Sequence, residues 1–314
     1  MLSLRKILTL MLNRRILRIK AFKAIYSRTE NPAMTVKEGE TQLELSCEAT
    51  RDLYLFLLAL PQALTGEAVS RIEAARGKFN PSEEELNPNM KFAENRIAPL
   101  LGEDPDFQKI IQKKKFSWEQ YDVLLRHLYD TVRTREYYTA YMASPESSLE
   151  EDAALWSNIF ASELEDNAEL EEILEDLGIW WNDDLAYALN WCCRTMDSLG
   201  KGERWSLPPL YMSDLSEKAE SDKAFITKVL RAAFAHFDEY VSDIAAITPK
   251  WDRSRICSTD LALIVAGLAE NAAFPDMGSG IIINEYVEIS KFYSTPESRA
   301  FVNGILDRLI NKKK

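Results

Sequence analysis

Asn13-Arg14-Arg15-Ile16-Leu17-Arg18-Ile19-Lys20-Ala21-Phe22-Lys23-Ala24-Ile25-Tyr26 is a basic island in an acidic chain. From Met1 to Thr29 there are eight Lys or Arg residues and no Asp or Glu. Taking those eight from the 38 basic residues leaves 30 against 50 acids, a formal charge of −20 on the remaining chain. Such asymmetry favours a localised anion-binding surface. At about 100° per residue, Arg15, Ile19, Phe22 and Tyr26 share one helical face, and Arg14, Arg18, Ala21 and Ile25 share a neighbouring one. Apolar residues thus lie nearly all round. That pattern predicts a helix wedged between others, with basic stems over apolar surface and charged heads in water. Two readings stay open. Arg14, Arg15, Arg18 and Lys23 hold phosphates, for which the planar, always-charged guanidinium is suited, or they form a solvated basic face.

Working outward, the length of 314 residues exceeds one ordinary domain, so two subdomains or one core with a large insertion are expected. Only 11 Gly beside 46% hydrophobic residues, with long Leu-, Ala-, Glu- and Lys-rich stretches, predict an all-α chain. No alternating strand pattern stands out. Cys47, Cys192, Cys193 and Cys257 are sparse, and the adjacent pair is poorly placed for a disulfide or zinc, which suggests a reducing cytoplasm. The apolar run in residues 1–12 is far too short to span a bilayer, so no membrane segment is expected.

Past the Asn31-Pro32 break, Thr41 to Leu60 reads as a helix with Leu43, Cys47, Leu53, Leu57 and Leu60 inward, ended or kinked at Pro61. Residues 64–78 continue as helix. Asn80 to Asn89 is a loop punctuated by Pro and Asn, the first candidate boundary. Short helices broken at Gly102 and Pro105 follow, then a helix from Trp118 with Val123, Leu124 and Leu128 as core, and a capping box from Ser147 to Glu150. A second break covers 199–212, and helices resume over 221–247 and 253–273. The expected organisation is a possible extension at 1–12, an N-terminal helical part at 13–79, an acidic inserted region at 80–212 and a C-terminal helical part at 213–314. Met11-Leu12-Asn13-Arg14 reads as an alternative natural beginning to Met1.

Enzyme signatures are missing: there is no glycine-rich phosphate loop, no G-x-S-x-G elbow and no Cys–His pair with an orienting third residue. The carboxylates between Glu163 and Asp184 have the density of a divalent-metal site. The chain has only His127 and His236, however, and no Glu-x-x-His pair, so no metal and no cofactor are expected. The alternative for these acids is a solvated helical face and an Asp N-cap.

The most specific text is at the end: Ile283-Asn284-Glu285-Tyr286-Val287-Glu288-Ile289-Ser290-Lys291-Phe292-Tyr293, the helix start Ser294-Thr295-Pro296-Glu297-Ser298, then Phe301-Val302-Asn303-Gly304-Ile305-Leu306-Asp307. It resembles the closing I-N-E-x-x-E-x-[AS]-K and F-V-N-G-x-L-D of the NusB family of bacterial transcription antitermination factors. The opening R-R-x-x-R-x-K-A-x-x-x-x-Y at Arg14 to Tyr26 is similar to that family's first helix. Leu268-Ala269-Glu270 stands where the family has L-Y-E. The likeness covers about 13–60 and 251–311. It departs at Gly278 and Gly280, where a Pro and a Lys usually precede I-N-E, and at Val265, often Arg in the family.

The resemblance implies a NusB-like helical bundle carrying an inserted helical region, cytoplasmic and not an enzyme. Such a protein, with the ribosomal protein acting as NusE, binds single-stranded boxA RNA and joins the RNA polymerase elongation complex on ribosomal RNA operons. Arg14, Arg15, Arg18 and Lys23 would then contact phosphates, Tyr293 and Phe301 would stack bases, and Glu297 and Ser298 would read base edges. Tyr26, Asp260 and Glu270 would face the ribosomal partner, and a homodimer through the RNA surface is a further option. The alternative is a helical protein-interaction scaffold that kept the fold and lost RNA binding, which the net charge of −12 favours.

Overall fold

The computed structural model describes residues 11–211, 222–248 and 256–311, and among them there are helices and no strands. The all-α expectation is met. Two compact units divide the chain, one from Met1–Glu48 with Pro208–Lys314 and one from Ala49–Leu207. The division falls inside a helix, about thirty residues before the Asn80 loop where sequence puts a boundary. That loop belongs to the second unit, where Ser82 and Glu85 cap each other's backbone and hold it in place.

In the first unit, α1 (Arg14–Glu30) starts at Asn13, whose side chain accepts from the Ile16 amide at 3.0 Å. Leu17, Ala21, Phe22, Ala24 and Ile25 are buried, so apolar residues at every angle do produce a wedged helix. α2 (Val36–Leu58) follows, with Leu43 and Cys47 inside.

The second unit takes over within α2 and runs through α3 (Leu60–Arg76), with Pro61 in its first turn, and α4 (Glu83–Leu86). It continues with α5 (Ile97–Gly102), α6 (Pro105–Lys114), α7 (Asp122–Arg133), α8 (Glu136–Ala143), α9 (Leu149–Ser162), α10 (Ala168–Leu177) and α11 (Leu185–Gly200). By length and composition Val36–Arg76 is apolar enough to cross a membrane, yet 67% of its apolar window is buried inside the protein, as in a core helix. Trp156 is fully buried and donates to Asn95 Oδ1 at 3.1 Å, while the Asn95 amide donates to Thr65 at 2.8 Å. Two details differ from the sequence reading. Val123 is exposed, because α7 starts at Asp122 and turns Leu124, Leu125, Leu128 and Val132 inward instead. Ser148, not Ser147, caps α9; Ser147 accepts from Arg96 through both its carbonyl and its hydroxyl.

The first unit resumes with α12 (Asp222–Ala235) and α13 (Phe237–Ile247), two helices broken at His236 where periodicity predicts one. α14 (Ser258–Ala273), α15 (Ser279–Tyr293) and α16 (Ser298–Asn311) complete it. The expected helical residues 221 and 253–255 lie outside the described residues. α14 is the central strut: every residue from Asp260 to Glu270 is buried, with α1, α12, α15 and α16 packed round it. Gly267 makes this possible. A Cβ there would meet Leu306 Cδ2 at 2.8 Å and Tyr286 Cδ2 at 3.3 Å, so any larger residue would have to push the buried Leu306 side chain aside where α15 and α16 close on the strut.

Asn95→Ala should test the polar node of the second unit, since it strands the Trp156 N–H and the Thr65 hydroxyl in the interior. The expected loss is about 1–3 kcal/mol per orphaned group, read from urea unfolding followed by tryptophan fluorescence.

Candidate nucleic-acid interface

The basic residues of α1 divide by burial. Arg18 is only 5% exposed. Its Nε lies 2.9 Å from Glu270 Oε2, and its Nη2 lies 2.6 Å from Glu270 Oε1. Glu270 itself is fully buried and accepts a third bond from the Tyr286 hydroxyl at 2.8 Å. A bidentate pair with its remaining lone pairs used is the form in which two charges survive inside a protein. Burial pulls the Arg18 pKa down, but the Glu270 carboxylate outweighs it and holds the pKa above the ordinary value. Burial, with Glu270 adding to it, pushes the Tyr286 phenol far up, so it stays a donor.

This corrects two expectations. Arg18 is not a phosphate ligand at the surface, and Glu270 is not a solvated acid awaiting a partner; they hold α1 to the strut. Asp260 is corrected likewise. It is buried and accepts from the hydroxyls of Ser294 and Ser298, which fixes the turn from α15 into α16. Ser298 is thereby buried and committed, so it does not read bases.

Arg14 and Arg15 keep side chains 46% and 50% exposed, each with a carboxylate beside it. Arg14 Nε reaches Asp222 Oδ1 at 3.3 Å, and Arg15 grips Glu285 through Nη2 at 2.9 Å and Nε at 3.1 Å. The bond from Arg15 is the main reason the Glu285 carboxyl is held below its usual range, against a smaller penalty from burial and with help from Arg18.

Further along α1 the basic helix and the C-terminal signature meet. The Phe22 and Tyr293 rings lie 5.4 Å apart, and Lys23 Nζ stands 5.4 Å from the Tyr293 centroid. Tyr293 is half-buried, and Phe292 beside it is 80% exposed. Sequence reasoning missed Phe292, although helical spacing gives the signal: it shares an outward stripe with Ile281, Glu285 and Glu288. Glu297 is exposed, Phe301 is half-buried, and Tyr26 is exposed near the C-terminal end of α1. An ammonium over one ring with a second ring bare next to it has the chemistry of a phosphate contact flanked by base-stacking surfaces.

Among the acids weighed as a metal site, Glu163 is buried and bound by Arg135 at 2.8 Å and Tyr137 at 3.0 Å. Among the described residues, no group of three His, Cys, Asp or Glu side chains is placed to hold a metal.

Fold and site define an all-α protein in which a bundle, closed by an internal Arg–Glu pair and carrying a cationic aromatic edge, is interrupted by a second helical unit. A family model described as the NusB family matches residues 202–311. The transcription antitermination protein NusB of Finegoldia magna is 32% identical over 94 residues, covering 30% of this chain and 69% of that protein. That of Methylacidiphilum infernorum is 33% identical over 97 residues, 31% of this chain and 68% of the other. The Acetivibrio thermocellus protein is 34% identical over 94 residues, 30% of this chain and 65% of its own length, so the chain spans just under two thirds of that relative. No solved structure matches the chain. The chain belongs to the NusB family.

Two outcomes follow from the ion pairs. Arg18→Ala leaves the buried Glu270 charge uncompensated and should cost about 3–5 kcal/mol of stability, whereas Arg15→Ala, at a half-exposed pair, should cost at most about 1 kcal/mol; urea midpoints separate them. A carboxyl with a lowered folded pKa contributes stability above its ordinary pKa, and that stability is lost as pH falls through the lowered value. As pH falls through and below the ordinary carboxylate range, the parent should therefore lose stability more steeply than Arg15→Ala, measured as urea midpoint against pH.

Proposed function

We propose that this protein is an RNA-binding transcription antitermination factor. In this reading it joins the ribosomal protein acting as NusE, binds a single-stranded boxA-type element, and keeps the RNA polymerase elongation complex processive on ribosomal RNA operons. Membership of the NusB family supports the class, since its relatives carry the name transcription antitermination protein. One observation carries the RNA assignment: Lys23 of the basic helix and Tyr293 of the C-terminal signature form a single edge, with Phe292 exposed beside it. Single-stranded RNA is held by such phosphate contacts and stacked bases, and needs no deep pocket. Arg14 and Arg15 are half-exposed at the other end of the same helix and exchange carboxylate for phosphate there. Phe301, half-buried, is assigned to base stacking, and Glu297, exposed, to reading base edges. Tyr26 is assigned to the ribosomal partner, and Asp260 and Glu270 act on that interface only through the packing they hold.

A specific observation favours a second reading, a protein-interaction scaffold without RNA binding. Arg14, Arg15 and Arg18 each have an internal carboxylate, on a chain of net charge −12.

The deciding experiment is RNA affinity, with and without the ribosomal partner, at several salt concentrations. Lys23→Ala should reduce the salt slope by about 0.7. Phe292→Ala and Tyr293→Ala should each cost about 1–3 kcal/mol of binding and leave the slope unchanged, because stacking releases no counterions. If the folded parent binds no boxA-type RNA under either condition, the scaffold reading replaces this one.

A further inference from the structure

A second cationic aromatic track runs over the first unit. On α12, Lys223, Ala224, Thr227, Lys228 and Arg231 recur at helical spacing along one face and line a shallow groove of about 460 Å³. Lys228 has no carboxylate partner among the described residues. Its ammonium stands 4.7 Å from the centroid of the Phe274 ring, just beyond the end of α14. Phe274 is half-buried and packs on Phe225 at 4.9 Å, and over Phe225 lies the Arg14 guanidinium at 4.8 Å. Cation, ring, ring and cation thus follow one another from the start of α1 to the groove on α12. The acids at this groove, Glu40 and Glu44, are bound to Arg231 and Lys223. Lys228 is left to an incoming anion.

From this arrangement we infer that the α12 face, with Phe274 as stacking ring and Lys228 as phosphate contact, is a second binding segment for single-stranded RNA. It takes nucleotides beyond those held at Lys23 and Tyr293. The two segments are joined along α1: nine residues separate Lys23 from Arg14, about 14 Å of helix. The inference rests on the RNA-binding reading above and deepens it. An acidic protein segment is the competing ligand. The half-buried ring beneath the ammonium favours RNA, because an acidic peptide gains from the charge and gains nothing from the ring face, whereas a base gains from both.

The test compares a short boxA-type RNA with the same RNA lengthened by about eight nucleotides at either end, within the span of one single-strand binding unit. The full chain and its variants Lys228→Ala, Phe274→Ala and Phe274→Leu are used, the last retaining apolar packing on Phe225. The parent should bind the longer RNA more tightly, and 4-thiouridine in the extension should crosslink to α12 or Phe274. Phe274→Ala and Phe274→Leu should each remove roughly five- to hundredfold of affinity for the longer RNA. Lys228→Ala should lower its salt slope by about 0.7. All three variants should bind the short RNA like the parent. If the parent binds the short RNA but gains nothing from the extension, or the variants bind the longer RNA unchanged, this inference fails and the proposed function stands. If no RNA binds, both fail. Poly-glutamate binding that depends on Lys228, without an RNA length effect, would assign the groove to a protein partner and overturn the inference.

Discussion

The pair between Arg18 and Glu270 sets the terms for the first unit. Two opposite charges inside a bundle tolerate one geometry, and that geometry fixes the rotation of α1 against the strut. With the rotation fixed, Arg15 falls on Glu285, Arg14 on Asp222 and Lys23 on Tyr293. The apolar contacts of Leu17, Ala21 and Ile25 supply the burial. Alone they would accept a helix turned by a fraction of a turn, whereas a buried guanidinium fork would not. Register is the best-attested use of a buried polar group, and here it positions Arg14, Arg15 and Lys23 of α1.

The acids of the C-terminal signature acquire meaning from this. Glu285 of Ile-Asn-Glu holds Arg15 and lies 3.4 Å from Arg18, and Glu270 of Leu-Ala-Glu is the buried counter-charge. The two signatures of the sequence are therefore largely halves of one electrostatic joint. What remains outside the joint is small: a lysine, two aromatic side chains and the half-exposed parts of two arginines. That is consistent with a protein whose net charge is −12 and whose basic surface is local.

Much of the architecture was legible in the order of residues. Leu43, Cys47, Leu53, Leu57 and Leu60 are all inside, and the apolar circumference of α1 announced a wedged helix. The joint was not legible, because nothing local tells Arg18 that its partner stands 252 residues away. Asp260 and Glu270 were misread for a definite reason: acids on helices are usually solvated. The run between them, Leu261 to Ala269, has no polar residue and no outward side, so its flanking acids had to be inside and had to have partners. Division at residue 48 was equally invisible, since an uninterrupted helix crosses it and composition does not change there.

The two parts of the first unit lie on either side of residues 49–207 in the chain, and this gives synthesis a definite order. At the usual pace of about 5–20 residues per second, the ribosome needs roughly 13–50 s between making Arg18 and making Glu270. Throughout that interval α1 carries its arginines without their carboxylates, while the whole second unit has time to fold. Once the partner emerges, bridging so long a span adds little entropy cost, because the penalty grows only with the logarithm of loop length. The delay is thus kinetic: until the later carboxylates emerge, Arg14, Arg15 and Arg18 stand without them at the start of an otherwise acidic nascent chain, open to whatever polyanion lies nearest the exit tunnel.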